Sequence, residues 1–448
     1  MKLSRRNLLL STAALAGASE LGHSATAQGG TRAVSRAHVL TTVNGKSLPW
    51  SMVGGVKEFH LTAGEFEHEF APGCKAKCWG YNGTTPGPTI EAVEGDRVRI
   101  LVTNNLPEPT SVHWHGILLP NGMDGVSGLN QAEIGPGETW AYEFTLRQHG
   151  THMYHPHADE MTQMAFGMMG LFIIHPRDTE EPTVDRDFAF LLHNWALHPG
   201  TYRPDPSIMT EFDLWTFNSK VYPAIDSLIV RLGERVRIRI GNLSMVNHPI
   251  HLHGHRFWIT GSDGGRWPRS LWRPEVTEIV GVGQTRDIEF VADNPGDWAL
   301  HCHMSHHTMN AMGHGIANTV GVNQSGVEDR IRAQLPGFMA MGQNGMYEHE
   351  VHAAMGHMKG PENTLPMTVG QGPFGPIGMG GMFTVVKIRE HLTASADPGW
   401  YDRTDVPRAR RVSATSPSTE APMDMKGTDM KDVDMKDMAM PSRQGVKP

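Results

Sequence analysis

The feature that most constrains this chain is an internal repeat. Gly95-Asp96-Arg97-Val98-Arg99-Ile100 returns as Gly233-Glu234-Arg235-Val236-Arg237-Ile238, and His113-Trp114-His115-Gly116 returns as His251-Leu252-His253-Gly254, both 138 residues on. Gly135-Pro136-Gly137 is answered by Gly281-Val282-Gly283, and His155-Pro156-His157 by His301-Cys302-His303, now 146 residues on. One loop of the second copy is therefore longer. The order is kept and the period far exceeds that of a solenoid, so a whole domain is duplicated.

Each copy reads as β-structure. Residues 96–102 and 235–240 alternate polar and apolar with period 2, as half-buried strands do. Fifty Gly and thirty Pro favour turns over long helices. The expected fold is all-β, with a Greek-key sandwich in each copy. Domain 1 is placed at 48–178 and domain 2 at 185–322, with a short linker near Pro182. Residues 323–402 form a Met/His/Gly-rich extension. In it, Ser325 and Glu328 look like a capping box opening a short helix that ends by Pro336, and 382–390 reads as one more strand. Residues 403–448 read as a disordered Met-rich tail, in which Asp-Met-Lys recurs every five residues, a period of neither helix nor strand.

Residues 1–27 read as an export signal. Lys2, Arg5 and Arg6 precede a short apolar run at 8–18, and Ala25-Thr26-Ala27 fits a cleavage site. Ser4-Arg5-Arg6-Asn7-Leu8-Leu9 looks like a twin-arginine signal, with an ordinary secretory signal as the alternative. Either route leads to the periplasm or outside the cell. No other apolar run is long enough to span a membrane. A net charge of -8 disfavours nucleic acid as partner, and three Cys exclude a disulfide scaffold. Cys74 and Cys78 leave open a disulfide, two free thiols or an extra copper site. A disulfide is slightly favoured, and it needs a bend at Gly73.

Twenty-six His and twenty-seven Met exceed any packing need, and both side chains bind metals. Four His-x-His pairs stand at repeat-equivalent positions: His113/His115, His155/His157, His251/His253 and His301/His303. On a strand, residues i and i+2 point the same way, so each pair can present two imidazoles to one metal cluster. Cys302, between His301 and His303, then faces the opposite side. His248, His307 and Met312 complete a His2Cys set with a weak axial Met, the donor set of a blue-copper electron-transfer centre. The copy 1 counterparts are Thr110, Pro156, Met161 and Phe166, so only copy 2 carries such a centre.

Over roughly 50–322 these motifs closely resemble the multicopper oxidase signatures. The resemblance implies two cupredoxin domains and four copper ions. Type 1 copper would sit on His248, Cys302, His307 and Met312, and type 2 on His113 and His251. One type 3 copper would take His115, His155 and His303, and the other His157, His253 and His301. Cys302, His301 and His303 would carry electrons to the cluster, where dioxygen is reduced to water. Asp124, eleven residues after His113, would deliver protons or orient water, unless it is simply a turn residue. Thr308 stands where some relatives keep a relay carboxylate. Ninety residues between His157 and His248 leave no room for a middle domain. The chain therefore resembles the two-domain, small-laccase-like branch, which implies a homotrimer with the trinuclear cluster between subunits.

The Met excess points to cuprous ion as substrate, in copper tolerance, with laccase-like oxidation of small phenols as the alternative. Met161, Met164, Met168 and Met169 also suit core packing. Met339, Met341, Met346, Met355, Met358, Met379 and Met382, beside His349, His352 and His357, read either as cuprous capture or as a neutral tail. A copper nitrite reductase is disfavoured by Pro156, where that family keeps its blue-copper Cys. A non-catalytic copper buffer is disfavoured by the full ligand set.

Overall fold

The computed structural model describes residues 40–178 and 182–310, and beyond these 317–318, 321–323, 326–334, 340–341, 362–365, 370–392, 396–402, 407–409 and 411. The export signal, Met312, the extension's His349, His352 and His357, and the Asp-Met-Lys tail lie outside the described residues. The chain divides into Met1–Tyr401 and Asp402–Pro448, and the first unit is the one described below.

Two β-sandwiches follow from the two copies. In the first, one sheet holds Trp50–Val53, Val56–Ala71, Cys74–Tyr81, Arg97–Asn104 and Thr139–Thr145, and the other Ile90–Val93, Gly170–His175, Gly150–His155 and His113–His115. Alternate residues point inward, and Val98, Ile100, Val102, Trp114 and Tyr154 meet in one buried core. In the second, Arg235–Asn242 lies parallel to Arg186–Trp195 and antiparallel to Thr285–Val291, as Arg97–Asn104 lies between Val56–Ala71 and Thr139–Thr145. The facing sheet orders Leu228–Arg231, Phe383–Arg389, Gly296–Cys302, His248–Leu252 and Thr277–Val280.

Phe383–Arg389 is the strand foreseen in the extension, and it lies parallel to Leu228–Arg231 and antiparallel to Gly296–Cys302. The second sandwich therefore takes in chain well beyond 322. Val386 and Ile388 sit in its core. The short helix of the extension spans Val327–Gln334.

A third apolar cluster joins the sandwiches, with Phe70, Met153 and Leu171 from the first against Leu191, Trp195 and Leu214 from the second. Buried polar bonds fix the register beside it. The Arg239 guanidinium donates to both carboxylate oxygens of Asp187 at 2.9 Å and to Thr151 Oγ1 at 3.0 Å, and Thr151 donates to Asp287 at 2.7 Å. Removing one partner would leave a buried charge, which makes this seam intolerant of single changes.

Cys74 and Cys78 lie in the seam as free, buried thiols, which corrects the expected disulfide. They sit on one straight strand, Cys74–Tyr81, whose rise of about 3.3 Å per residue holds the two Cα atoms roughly 13 Å apart. Gly73 turns the chain before Cys74, so its bend does nothing to bring the pair together. Burial pushes the Cys74 thiol up to about 12. Among the described residues no helix is long and apolar enough to cross a membrane.

Candidate metal centres

Two antiparallel strands build the first centre. His248–Leu252 pairs with Gly296–Cys302, with Ile250 opposite Cys302 and His251 opposite His301. Ile250, Leu252, Leu300 and Cys302 point into the sandwich core. His251 and His301 point out, where the His301 ring lies 6.4 Å from that of Phe383. The strand's pleat thus separates the thiol from the imidazole beside it.

On the core side, His248, Cys302 and His307 converge, all at 0% exposure. Cys302 Sγ lies 3.6 Å from His248 Nδ1 and 3.3 Å from His307 Nδ1, and the two nitrogens are 3.1 Å apart. A triangle of such sides has its centre roughly 1.9 Å from each donor, close to the ~2.0–2.3 Å of metal bonds to imidazole and thiolate. Two nitrogens and one sulfur in a dry trigonal array fit copper of the blue type. Burial holds the imidazoles neutral, His248 at about 3 and His307 at about 2, and raises the Cys302 thiol to about 12. A bound metal therefore has to displace the thiol proton, while both imidazoles stand ready as ligands.

The surrounding shell is specific. Ser244 Oγ lies 2.7 Å from His248 Nε2, which leaves Nδ1 for metal. The His307 ring stacks on Trp215, 3.7 Å between centroids at 20°. Residues 380–382 lace the two ligand segments together. Met382 N–H donates to His307 O at 2.9 Å, Gly380 N–H donates to Thr308 O at 2.7 Å, and Met382 O accepts from Cys302 N–H at 3.1 Å. Gly381 has φ +52°, and a Cβ there would stand 2.3 Å from His307 O. Only glycine lets the strap lie this close. Thr308 Oγ1 donates to Ser305 O and closes the turn that carries His307.

The other eight imidazoles form two quartets on outer sheet faces. In copy 1, His113 pairs with His155 across the sheet, as His251 pairs with His301 in copy 2. The backbone bonds repeat as well. His155 Nδ1–H donates to Pro156 O at 2.9 Å and His301 Nδ1–H to Cys302 O at 2.8 Å. His113 Nδ1–H donates to Asp124 O at 2.8 Å, and His251 Nδ1–H to Val276 O at 2.6 Å. Each bond fixes a tautomer whose Nε2 lone pair is free for metal. His115 Nδ1 comes 3.2 Å from His155 Nε2, and His253 Nε2 comes 3.0 Å from His301 Nε2. His157 and His303 complete the quartets, with rings 5.7 Å from His113 and 5.3 Å from His251. Among the described residues, every ring contact between these eight stays inside its own quartet.

Asp124 acts on His113 first through its backbone carbonyl, and its carboxylate is 3.4 Å from the same nitrogen. The sequence reading overlooked Glu160, whose carboxylate lies 3.5 Å from His155 Nδ1 and 3.8 Å from His157 Nε2. Its place three residues after His157, at the start of the helix Glu160–Ala165, was the available signal. Trp215, Ser244 and the strap at 380–382 were also overlooked, and no local pattern marks them. Met168 and Met169 are buried and Met164 is packed on the seam, while Met161 is 57% exposed. Met382 is wholly buried in the second core.

Burial of so many neutral imidazoles has a thermodynamic consequence. Desolvation lowers His68, His152 and His193 to about 4, His155 and His248 to about 3, and His307 to about 2. Below about pH 6.5 the unfolded chain binds protons that the folded chain refuses, so stability falls as pH drops, until the folded values are reached. Each group contributes up to ~1.4 kcal/mol per pH unit in that window. Copper-free protein is therefore expected to lose its urea midpoint steeply from pH 6.5 down to 4, with several protons taken up on unfolding. A flat midpoint over that range would contradict neutral burial.

Family models for multicopper oxidases match residues 63–179 and 199–321, together more than half of the chain. The chain belongs to the multicopper oxidase family. Membership makes copper the metal of these centres, in accord with the trigonal His2Cys geometry. Among other members, a copper resistance protein A homolog from Pseudomonas syringae pv. tomato is 40% identical over 139 residues, covering 31% of this chain and 23% of that protein. Laccase-2 of Botryotinia fuckeliana is 31% identical over 287 residues, covering 56% of this chain and 47% of that protein. The chain thus spans less than half the length of these relatives. The blue copper oxidase from Nitrosomonas europaea shares the fold, with a TM-score of 0.53 at 24% identity over 74% of this chain and 85% of that one.

Proposed function

We propose that this protein is an exported copper oxidase that takes single electrons from cuprous ion at His248, Cys302 and His307 and passes them to dioxygen, which leaves as water. The observation that carries the reading is the strand Gly296–Cys302, which turns Cys302 to one centre and His301 to another. Copper supplies the one-electron couple at the triad and the dioxygen chemistry at the imidazole quartets. The chain's own part is to hold neutral imidazoles at fixed tautomers, to keep the triad dry and to link the centres. From Cys302 Sγ the covalent route runs through its backbone to the His301 ring, and the His301–Cys302 hydrogen bond of 2.8 Å shortens it.

The two quartets meet nowhere within one chain among the described residues, so a cluster of type 2 and type 3 copper needs a second copy. A head-to-tail ring would bring the His113 quartet of one copy to the His251 quartet of the next, and a homotrimer closes such a ring. His115, His155 and His303 would then hold one type 3 copper, His157, His253 and His301 the other, and His113 with His251 type 2. Met312 would add a thioether donor for the copper held by His248, Cys302 and His307. A twin-arginine signal would place the assembly in the periplasm.

Similarity to a copper resistance protein favours cuprous ion and a role in copper tolerance. The longer match to a laccase supports phenol oxidation as the second reading. Stoichiometry tests the first. Copper-loaded protein is expected to consume one dioxygen for every four cuprous ions, with no peroxide trapped by catalase. Two cuprous ions per dioxygen, with peroxide released, would overturn the four-electron reading.

A further inference from the structure

The triad is closed on the sides where a donor would be expected to reach it. His248 and His307 are fully buried, and His307 Nε2 is buried without a hydrogen-bond partner. Trp215, itself only 5% exposed, covers the face of the His307 ring. A reductant in solution therefore meets no ligand atom directly.

One imidazole stands outside this closure. His306 is exposed, and its ring lies 4.2 Å from that of His307 at 72°, and 5.8 Å from that of Trp215. Among the described residues its ring nitrogens make no hydrogen bond. Trp215 also meets the His248 ring edge-on at 5.9 Å. The indole thus braces both ligand imidazoles and the outer one.

We propose that His306 is the docking ligand for the electron donor, and that this donor is a soft monovalent cation, the cuprous ion. The inference rests on the cuprous reading above and assigns its substrate a place. An imidazole nitrogen is a ligand for cuprous ion. A harder cation would call for carboxylates, and among the described residues none lies within ion-pair distance of His248, His306 or His307. The step balances as one electron. Docked cuprous ion would become cupric and leave, and copper held by the triad would be reduced from cupric to cuprous by an electron crossing between two rings whose centroids lie 4.2 Å apart. No proton moves.

Two measurements test this on the full copper-loaded protein. The first is footprinting, with silver ion as a redox-inert stand-in for cuprous ion. Equimolar silver is expected to protect His306 several-fold from carbethoxylation, read by mass spectrometry of the peptide. Unaltered labelling would overturn the docking site. The second is anaerobic bleaching of the blue absorption by cuprous ion. His306→Ala is expected to slow it at least tenfold more than it slows bleaching by dithionite, with the absorption band itself retained as the sign of an intact triad. Equal slowing by both reductants would reduce His306 to a structural neighbour of the ligand. Failure of wild-type protein to oxidise cuprous ion at all would strike the proposed function, whereas wild-type oxidation matched by His306→Ala would strike only this site. A deficit confined to a phenol would reassign His306 to the organic donor and overturn the cuprous docking.

Discussion

Copper-loaded Cys302→Ser is expected to lose the intense thiolate-to-cupric absorption and to stop consuming dioxygen. Removing a group that merely orients a ligand costs about 10- to 100-fold in metal affinity or activity. On the proposed route Cys302 would be both a metal donor of the triad and the covalent start toward His301, so the loss is expected at or beyond the upper end of that range. The fold should survive. Serine is nearly isosteric, and one unpaired hydroxyl in the core costs about 1–3 kcal/mol. The strand is held independently by its neighbours His248–Leu252 and Phe383–Arg389. Copper on the outer quartets should therefore remain. Metal analysis and oxygen electrode traces on the same sample check the result. A variant that keeps both its copper content and its turnover would remove Cys302 from electron transfer. A wild-type protein that binds copper but consumes no dioxygen would be a buffer.

Legibility in the sequence followed from what a strand repeats. The period of two fixed which side each residue of His301-Cys302-His303 would face, and the core membership of Leu300 and Cys302 against the outward His301 follows that rule. Duplication extended the rule to the register, since His113 opposite His155 predicts His251 opposite His301. The all-β architecture came from the same alternation. Contacts made across the fold had no such repeat. Phe383–Arg389 enters the ligand-bearing sheet from more than eighty residues beyond Cys302, and its register depends on the second core rather than on any local signal. The stacking of Trp215 on His307 and the lacing by residues 380–382 are likewise tertiary. The cysteine pair was misjudged for a related reason. A bend at Gly73 was weighed, but pairing with Val56–Ala71 keeps Cys74–Tyr81 extended and carries both thiols into the seam.

Among the described residues the two quartets stay apart within one chain, which leads to the second large effect. His115→Ala and His253→Ala are each expected to abolish dioxygen reduction when expressed alone, because every cluster in such an assembly lacks a ligand. Co-expressed with different tags and purified through both, the two variants should recover activity. In a head-to-tail ring each cluster joins the copy 1 quartet of one protomer to the copy 2 quartet of its neighbour. A cluster is then intact wherever a His253→Ala protomer offers its His113 quartet to the His251 quartet of a His115→Ala protomer. A trimer that carries both tags holds two protomers of one variant and one of the other, so about a third of its clusters are intact, and those clusters lie beside an unaltered Cys302. The mixed assembly should accordingly show roughly a third of wild-type turnover, with KM for the donor unchanged because the triads are untouched. A cluster completed inside one chain predicts no recovery at any ratio, since each chain then carries its own defect. A two-fold, isologous pairing of like quartets also predicts none, because it would place His113 quartets against each other. Recovery near one third would therefore specify both that a second copy supplies half of each cluster and that the contact runs from one sandwich to the other.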